Sequence, residues 1–298
     1  MNSELLSVCI PTRNRAKYLG EILSSYARQV NEARLTAEQV TFYISDNASE
    51  DETAQVVREF EKKVPRVVYS SNATNLGAEF NVVHVQTIAK GQYRWVIGDD
   101  ELLCDNALVT VLDLVQKHRP GLILAYDRRY KLNLARPQVF PTYREFAQDC
   151  IRHNIHALAE HTLISSNIFR ADCYDSEFAR QNFRTSFPQM FGMIRPLVRN
   201  QASVVLPDQH IIFMRDAPPP APDGEWINLD TAWLNYFTWL RDELQLPELN
   251  PQGPSEHARK AMLAKMTGNP FKFLANNWRS IFQPKAYQFV FNRIFRRH

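Results

Sequence analysis

Two adjacent carboxylates, Asp99 and Asp100, with Glu101 beside them, follow the apolar run Tyr93 to Ile97 (YRWVI). Like charges set side by side raise one another's pKa, so three acids in a row are costly without a cation. Hard carboxylate oxygens suit Mg2+ or Mn2+, whose remaining positions are filled by water and substrate phosphates. Such a cation would neutralise charge developing on a leaving diphosphate. The same acids also fit the first turn of the helix that carries Leu108, and the residues alone leave both readings open. Asp46, after VTFYIS, suits either a hydrogen bond to a nucleotide base or ribose, or ordinary turn chemistry. Thr12, Arg13 and Asn14 form a polar loop after another apolar run. Arg13 could meet a phosphate there as a bidentate donor, or the loop could simply cap a helix.

The elements that must position these groups alternate in type. Leu5 to Ile10 reads as a strand ended by Pro11, and Leu19, Ile22, Leu23, Tyr26 and Val30 recur at helical spacing. Val40 to Ile44 is β-branched and aromatic, as a second strand would be. Ser49-Glu50-Asp51-Glu52 spells a capping box, followed on one helix face by Val56, Val57 and Phe60. Arg66 to Tyr69 gives a third strand, Gly77 to Ala89 a helix and Tyr93 to Ile97 a fourth strand. A helix then carries Leu108, Val111, Leu112 and Val115, and Leu122 to Ala125 is a fifth strand. Repeated strand–helix units predict an α/β fold with a mostly parallel sheet flanked by helices. Ligands bind beyond the carboxyl ends of such strands, where Thr12, Asp46 and Asp99 to Glu101 all fall. Further on, Thr162 to Phe169 reads as a strand with a polar interruption. Ser203 to Leu206 and His210 to Met214 read as paired strands across a Pro207-Asp208 turn.

The 298 residues are 45% hydrophobic and 22% charged, ordinary for a globular chain with a substantial core. The net charge of +3 hides an asymmetry, because nine Lys or Arg and no Asp or Glu follow Glu256. Cys9, Cys104, Cys150 and Cys173 are scattered without metal-ligand spacing and read as reduced thiols. The N-terminus shows no secretory signal, and no apolar run approaches the roughly 18 residues of a membrane span. A cytoplasmic chain is therefore expected.

Four segments, SVCIPTRNRAKYLGEILSSY, FYISDNASEDET, NLGAEFN and YRWVIGDDELL, stand in order across residues 5 to 126. Together they resemble the inverting family 2 glycosyltransferases of GT-A fold. The GDDE ending, with NLG-A-x-x-N before it, is similar to the branch acting in bacterial O-antigen and capsule assembly, including abequosyltransferase-like members. The resemblance implies a nucleotide-sugar donor, a UDP-sugar being the expected one, and a glycan or lipid-linked glycan acceptor. It implies that Pro11, Thr12 and Arg13 line the nucleotide pocket, that Asp46 contacts the base, and that Asn75 and Gly77 sit near the ribose or diphosphate. Laid over the family's Asp-x-Asp-Asp metal motif, Gly98 stands where the first Asp usually is. Asp100 matches the metal-binding Asp, Glu101 the last acid, and Asp99 the variable position, where it would add to metal and donor binding. Residues 1–215 would form the GT-A domain, with a nucleotide-sugar half (1–126) and an acceptor half (127–215). The stretch 216–225, with four prolines between Ala217 and Pro222, would be a stiff linker. Residues 226–298 would form a helical, basic and aromatic extension.

Transfer to an acceptor hydroxyl needs a general base. The stretch RTSFPQMFGMIRP, where relatives carry one, contains no acid. Asp175 is the candidate taken, with Asp172, Glu177, His156 and His161 as alternatives, and Ser165-Ser166-Asn167 would line the acceptor pocket. The interleaved Phe, Trp, Tyr, Lys and Arg beyond Pro270 suit an anionic membrane surface. Packing on the catalytic domain or on a second copy of the chain suits them as well, and no nucleic-acid module accompanies them. A peripheral location on the inner face of the cytoplasmic membrane follows from the first reading. A nucleotidyltransferase would also use carboxylates and Mg2+, but PTRNRAKYLG lacks an early glycine for a phosphate loop. The missing acid also leaves room for a non-catalytic sugar- or nucleotide-binding partner.

Overall fold

A computed structural model describes residues 4–125, 134–153, 158, 162–183, 185, 187–213 and 229–252. The linker 216–225, the basic and aromatic stretch 253–298, His156 and His161 lie outside the described residues. The strands are β1 (Leu6–Thr12), β2 (Val40–Asp46), β3 (Val67–Ser71), β4 (Tyr93–Val96), β5 (Leu102–Leu103), β6 (Leu122–Leu124), β7 (Gln138–Phe140), β8 (Asn167–Arg170), β9 (Val204–Leu206) and β10 (Ile212–Phe213). The helices are α1 (Ala16–Glu32), α2 (Thr53–Glu61), α3 (Ala78–Ile88), α4 (Ala107–His118), α5 (Tyr143–His153), α6 (Ser176–Gln181), α7 (Pro188–Arg199) and α8 (Leu229–Leu244).

Eight strands form one sheet in the order β3-β2-β1-β4-β8-β6-β9-β7. The half from β3 to β4 is parallel throughout. Every residue of β2 is buried, as expected of a parallel strand covered on both faces. Alternation sorts the side chains. Leu6, Val8, Ile10, Phe42 and Ile44 face the cluster that holds α1, α2 and α4, whereas Cys9, Tyr43 and Val96 face Val82 and Val85 of α3. Leu19, Ile22, Leu23, Tyr26 and Val30 make the buried stripe of α1, as their spacing predicts. In the other half, α5, α7 and α8 close a second core over β6 and β9. There Phe191 meets Trp239 with ring centroids 4.4 Å apart.

The antiparallel insertion of β8 between β4 and β6 is what the helix–strand rhythm does not foretell. Only Asn167 to Arg170 is extended; Ile164 to Ser166 before it is a 3-10 turn, because the Trp95 indole donates to the Ser165 carbonyl and holds it there. The expected hairpin of β9 and β10 is not formed. Both edges of β9 are taken by β6 and β7, so β10 pairs instead with β5, just past the acidic turn.

The capping box at Ser49 is also corrected. Ser49 Oγ accepts the Asn14 amide in the neighbouring loop, and Asp51 does the capping. One Asp51 oxygen accepts the Thr53 amide and hydroxyl at the start of α2, while the other accepts the Ala16 amide at the start of α1. One carboxylate thus answers orphan donors of two helices and fixes the loop after β1 to the loop after β2. Burial opposes its charge, but the Thr53 and Ala16 donors outweigh burial and hold its pKa below the usual value. Asp51→Ala should cost about 1–2 kcal/mol in urea unfolding at neutral pH. A depressed carboxyl pKa gives stability that is complete above about pH 4 and is lost as pH falls through the folded-state value. The gap between variant and wild type should therefore close in acid.

Candidate active site

The carboxyl ends of β1, β2 and β4 meet at one corner. Thr12 and Asp46 are register partners at the ends of β1 and β2. The chain leaves β4 through Ile97, whose amide donates to the Cys9 carbonyl, and then turns at Gly98, where the Glu101 amide donates to the Gly98 carbonyl. This turn is braced from α1, as the Tyr26 hydroxyl donates to the Glu101 carbonyl and the Gln29 amide to the Cys104 carbonyl.

The three acids of the turn point to different tasks. Asp99 is buried, and its Oδ2 accepts the Thr12 hydroxyl at 2.8 Å, linking β4 to β1. Asp100 Oδ2 accepts a guanidinium nitrogen of Arg15 at 2.8 Å, while Arg15 Nε stands 3.3 Å from Asp99 Oδ1. Glu101 folds back, and its Oε2 accepts the Gly98 amide. Burial pushes Asp99 up to about 6, against the pull of the Arg15 guanidinium and the Thr12 hydroxyl, and the Asp100 charge adds to the rise. Arg15 also lies over the Tyr18 ring, 5.3 Å from its centroid. Sequence reasoning passed over Arg15. Its signal was a second arginine, two residues after Arg13, at the last position before the helical periodicity begins.

Among the described residues no group of three or more His, Cys, Asp or Glu side chains is arranged to hold a metal ion. Asp99 and Asp100 nevertheless fit a different arrangement. Mg2+ and Mn2+ often take one or two carboxylates and complete their shell with water and substrate phosphates. Asp100, whose side chain keeps 21% exposure, suits such a ligand better than buried Asp99 or back-folded Glu101. Gly98 belongs to this design, because a Cβ there would stand 3.0 Å from Asp100 Oδ1 and 3.3 Å from Glu101 Oε2. An acid at that position would crowd the two that are present, whose side chains would have to give by a few tenths of an ångström.

Asp46 is 2% exposed, with Oδ2 accepting the Tyr69 hydroxyl and Oδ1 the Ser49 amide. It builds its turn. Burial first, and then its hydrogen bond to Asp46, push the Tyr69 phenol up to about 12. Pro11 and Arg13 are half-buried, Arg13 on the loop between β1 and α1 and Pro11 within β1, which does not end at the proline but runs on to Thr12. Asn47 ties in the loop before α3. It donates to Asn75 Oδ1 and the Gly77 carbonyl, and accepts from the Asn72 side chain and the Leu76 amide. Asn81, on the first turn of α3, exchanges hydrogen bonds with Ser45 at the end of β2. Asn75 and Gly77 are thus brought beside the ends of β1 and β2. Asp175 is the N-cap of α6, its Oδ1 accepting the Phe178 amide. Ser165, Ser166 and Asn167 are buried between β4 and β6.

Gly77 holds φ 91° and ψ 156°, a region essentially closed to side chains. Space is not the obstacle, since nothing lies within 4 Å of a Cβ built there. Gly77→Ala should lower stability by about 1–3 kcal/mol in denaturant unfolding, and should raise the crystallographic mobility of residues 72–77 relative to wild type.

The profile described as Glycosyl transferase family 2 matches residues 7–169, which hold β1 to β4 and the acidic turn. The abequosyltransferase RfbV of Salmonella typhimurium is 34% identical over 105 residues, 35% of this chain and 30% of that protein. An uncharacterized glycosyltransferase of Mycoplasma genitalium is 26% identical over 149 residues, 48% of each chain. The chain thus spans less than half the length of either curated relative. Among solved structures, S. aureus TarS in complex with UDP-GlcNAc superposes with a TM-score of 0.58 at 14% identity, over 88% of this chain and 73% of that one. A mannosyltransferase from Pyrobaculum calidifontis, in complex with GDP-Man and Mn2+, gives 0.50 at 11% identity, over 98% and 88%. Structural likeness at such identities speaks to the fold, which is GT-A, a mostly parallel sheet flanked by helices. The profile covers more than half of the chain, and with the carboxyl-end corner it leads to one assignment: the chain belongs to glycosyl transferase family 2.

Proposed function

We propose that this chain moves a sugar from a nucleotide-sugar donor to a glycan acceptor, with Asp100 helping to hold Mg2+ or Mn2+ on the donor's diphosphate. The observation that carries this reading is the acidic turn. Asp99 and Asp100 lie past β4, in contact with Thr12 at the end of β1 and Arg15 just past it. That is the end of the sheet where ligands of parallel α/β folds bind. The complexes named for the structural relatives, with UDP-GlcNAc in one and GDP-Man with Mn2+ in another, support a nucleotide-sugar donor. We favour a UDP-sugar.

In this reading Pro11, Thr12 and Arg13 line the nucleotide pocket, and Asp46 offers the base or ribose its remaining acceptor capacity. Asn75 and Gly77 lie by the ribose and diphosphate. Asp99 positions Thr12 and Arg15. A bound cation supplies positive charge against the diphosphate as it leaves. The acceptor hydroxyl forms its bond to the anomeric carbon opposite the breaking bond to the diphosphate, inverting that centre, and its proton passes to a carboxylate. Asp175 is our candidate base. The likeness to an abequosyltransferase supports an O-antigen or capsule glycan as the acceptor, carried on a lipid. The nine basic residues after Glu256 would then rest on the anionic inner face of the cytoplasmic membrane. No helix among the described residues is long and apolar enough to cross it.

Release of nucleoside diphosphate from donor and acceptor should fall by about a hundredfold or more in Asp100→Ala. Full release by this variant at saturating Mn2+ would end the metal assignment. A thermal-shift screen of nucleotide sugars, with and without Mn2+, should find a ligand whose stabilisation is metal-dependent in the wild type. Asp175→Asn separates chemistry from folding, since Asn caps a helix about as well as Asp. It should melt like the wild type, yet lose about a hundredfold in turnover; undiminished turnover would remove Asp175 from the reaction.

A further inference from the structure

Arg15 carries an inference that rests on the reading of this corner as a cation-and-diphosphate site. Its guanidinium is held by both carboxylates of the acidic turn, 2.8 Å from Asp100 Oδ2 and with Nε 3.3 Å from Asp99 Oδ1. The Arg15 and Asp100 side chains are each 21% exposed, so the pair sits where a solute can reach it. Arg15 precedes α1, whose first amide is fixed by Asp51, and the Tyr18 ring lies beneath the guanidinium. The cation is therefore a positioned part of the site. A divalent ion that takes Asp100 must compete with it.

We propose that Arg15 couples metal binding to nucleotide binding. With no nucleotide present, Arg15 neutralises Asp100 and keeps divalent ions weakly bound. A diphosphate brings a second anion that suits the planar guanidinium fork. Arg15 exchanges the carboxylate for phosphate, and Asp100 passes to the metal. No covalent bond changes in this exchange. Each ligand then raises the affinity for the other by the same factor, as linkage requires. The coupling keeps the enzyme from carrying metal at an empty donor site.

The test measures Mn2+ binding to the full chain, by the EPR signal of free Mn2+, with and without UDP and GDP as probe nucleotides. Wild type should bind Mn2+ weakly alone and roughly 5–150-fold more tightly with the nucleotide, the usual range for coupled sites. Arg15→Met should bind Mn2+ about tenfold more tightly than wild type without nucleotide, and its coupling factor should fall below that of wild type, to the part that the diphosphate contributes as a metal ligand. Arg15→Lys, which keeps the charge and lacks the fork, should fall between them and serves if the methionine variant does not fold. In melting experiments Mn2+ alone should stabilise Arg15→Met more than wild type. Wild-type-like Mn2+ affinity and coupling in the folded variants would overturn the inference while leaving the metal reading intact. A wild type that takes up no Mn2+ with either nucleotide would end both.

Discussion

Negative charge taken out of water at the end of β4 is the constraint around which this corner is built. Asp99 is almost fully buried beside a second carboxylate. A group so placed must gain a cation, gain hydrogen bonds or take a proton. The first two are present, and the third is brought nearer. Arg15 supplies the cation, Thr12 supplies the hydrogen bond, and burial draws the Asp99 pKa to about 6. The compensation is supplied by β1 and the residues just after it, so the site exists only when β1 and β4 are neighbours in register. The acidic turn is therefore complete only where the parallel half of the sheet is formed.

The rest of the corner is held by amides. Asn47 and Asn81 use their side chains to join loops that the sheet alone would leave apart. An amide carries both donors and an acceptor, so each can bridge two backbone segments without adding charge beside Asp99 and Asp100. Asp51 plays the comparable part farther out, where its charge faces two helix N-termini and is welcome. Structural joining around Asp99 and Asp100 is thus shared between the neutral amides of Asn47 and Asn81 and the carboxylates of Asp46 and Asp51, whose partners are hydroxyl and backbone N–H donors.

Much of the parallel half was legible in the sequence, for a physical reason. Strands buried on both faces need continuous apolar runs, and α1 needs its 3.6-residue stripe, so the patterns at Val40 to Ile44 and Leu19 to Val30 have few other uses. The placement of Thr12 and Asp46 at the ends of their strands, and of Asp99 past β4, followed from it. The second half was less legible. β5 and β10 are two residues long and β7 three, too short to show a period. β8 is entered through a 3-10 turn held by Trp95, a contact between residues 70 positions apart. Arg15 was less legible because two arginines in a polar loop do not say which of them meets an acid; its meaning comes from two carboxylates that the chain reaches more than eighty residues later. Asn81, buried on α3, pins that helix to the end of β2, a contact that depends on Ser45 and has no local signature.

The two-residue ribbon of β5 and β10 has a mechanical consequence. Phe213 pairs with Leu102, and Leu102 follows Glu101 directly. A displacement of β10 is therefore felt at once by the strand that leaves the acidic turn, because among the described residues β5 is its strand partner.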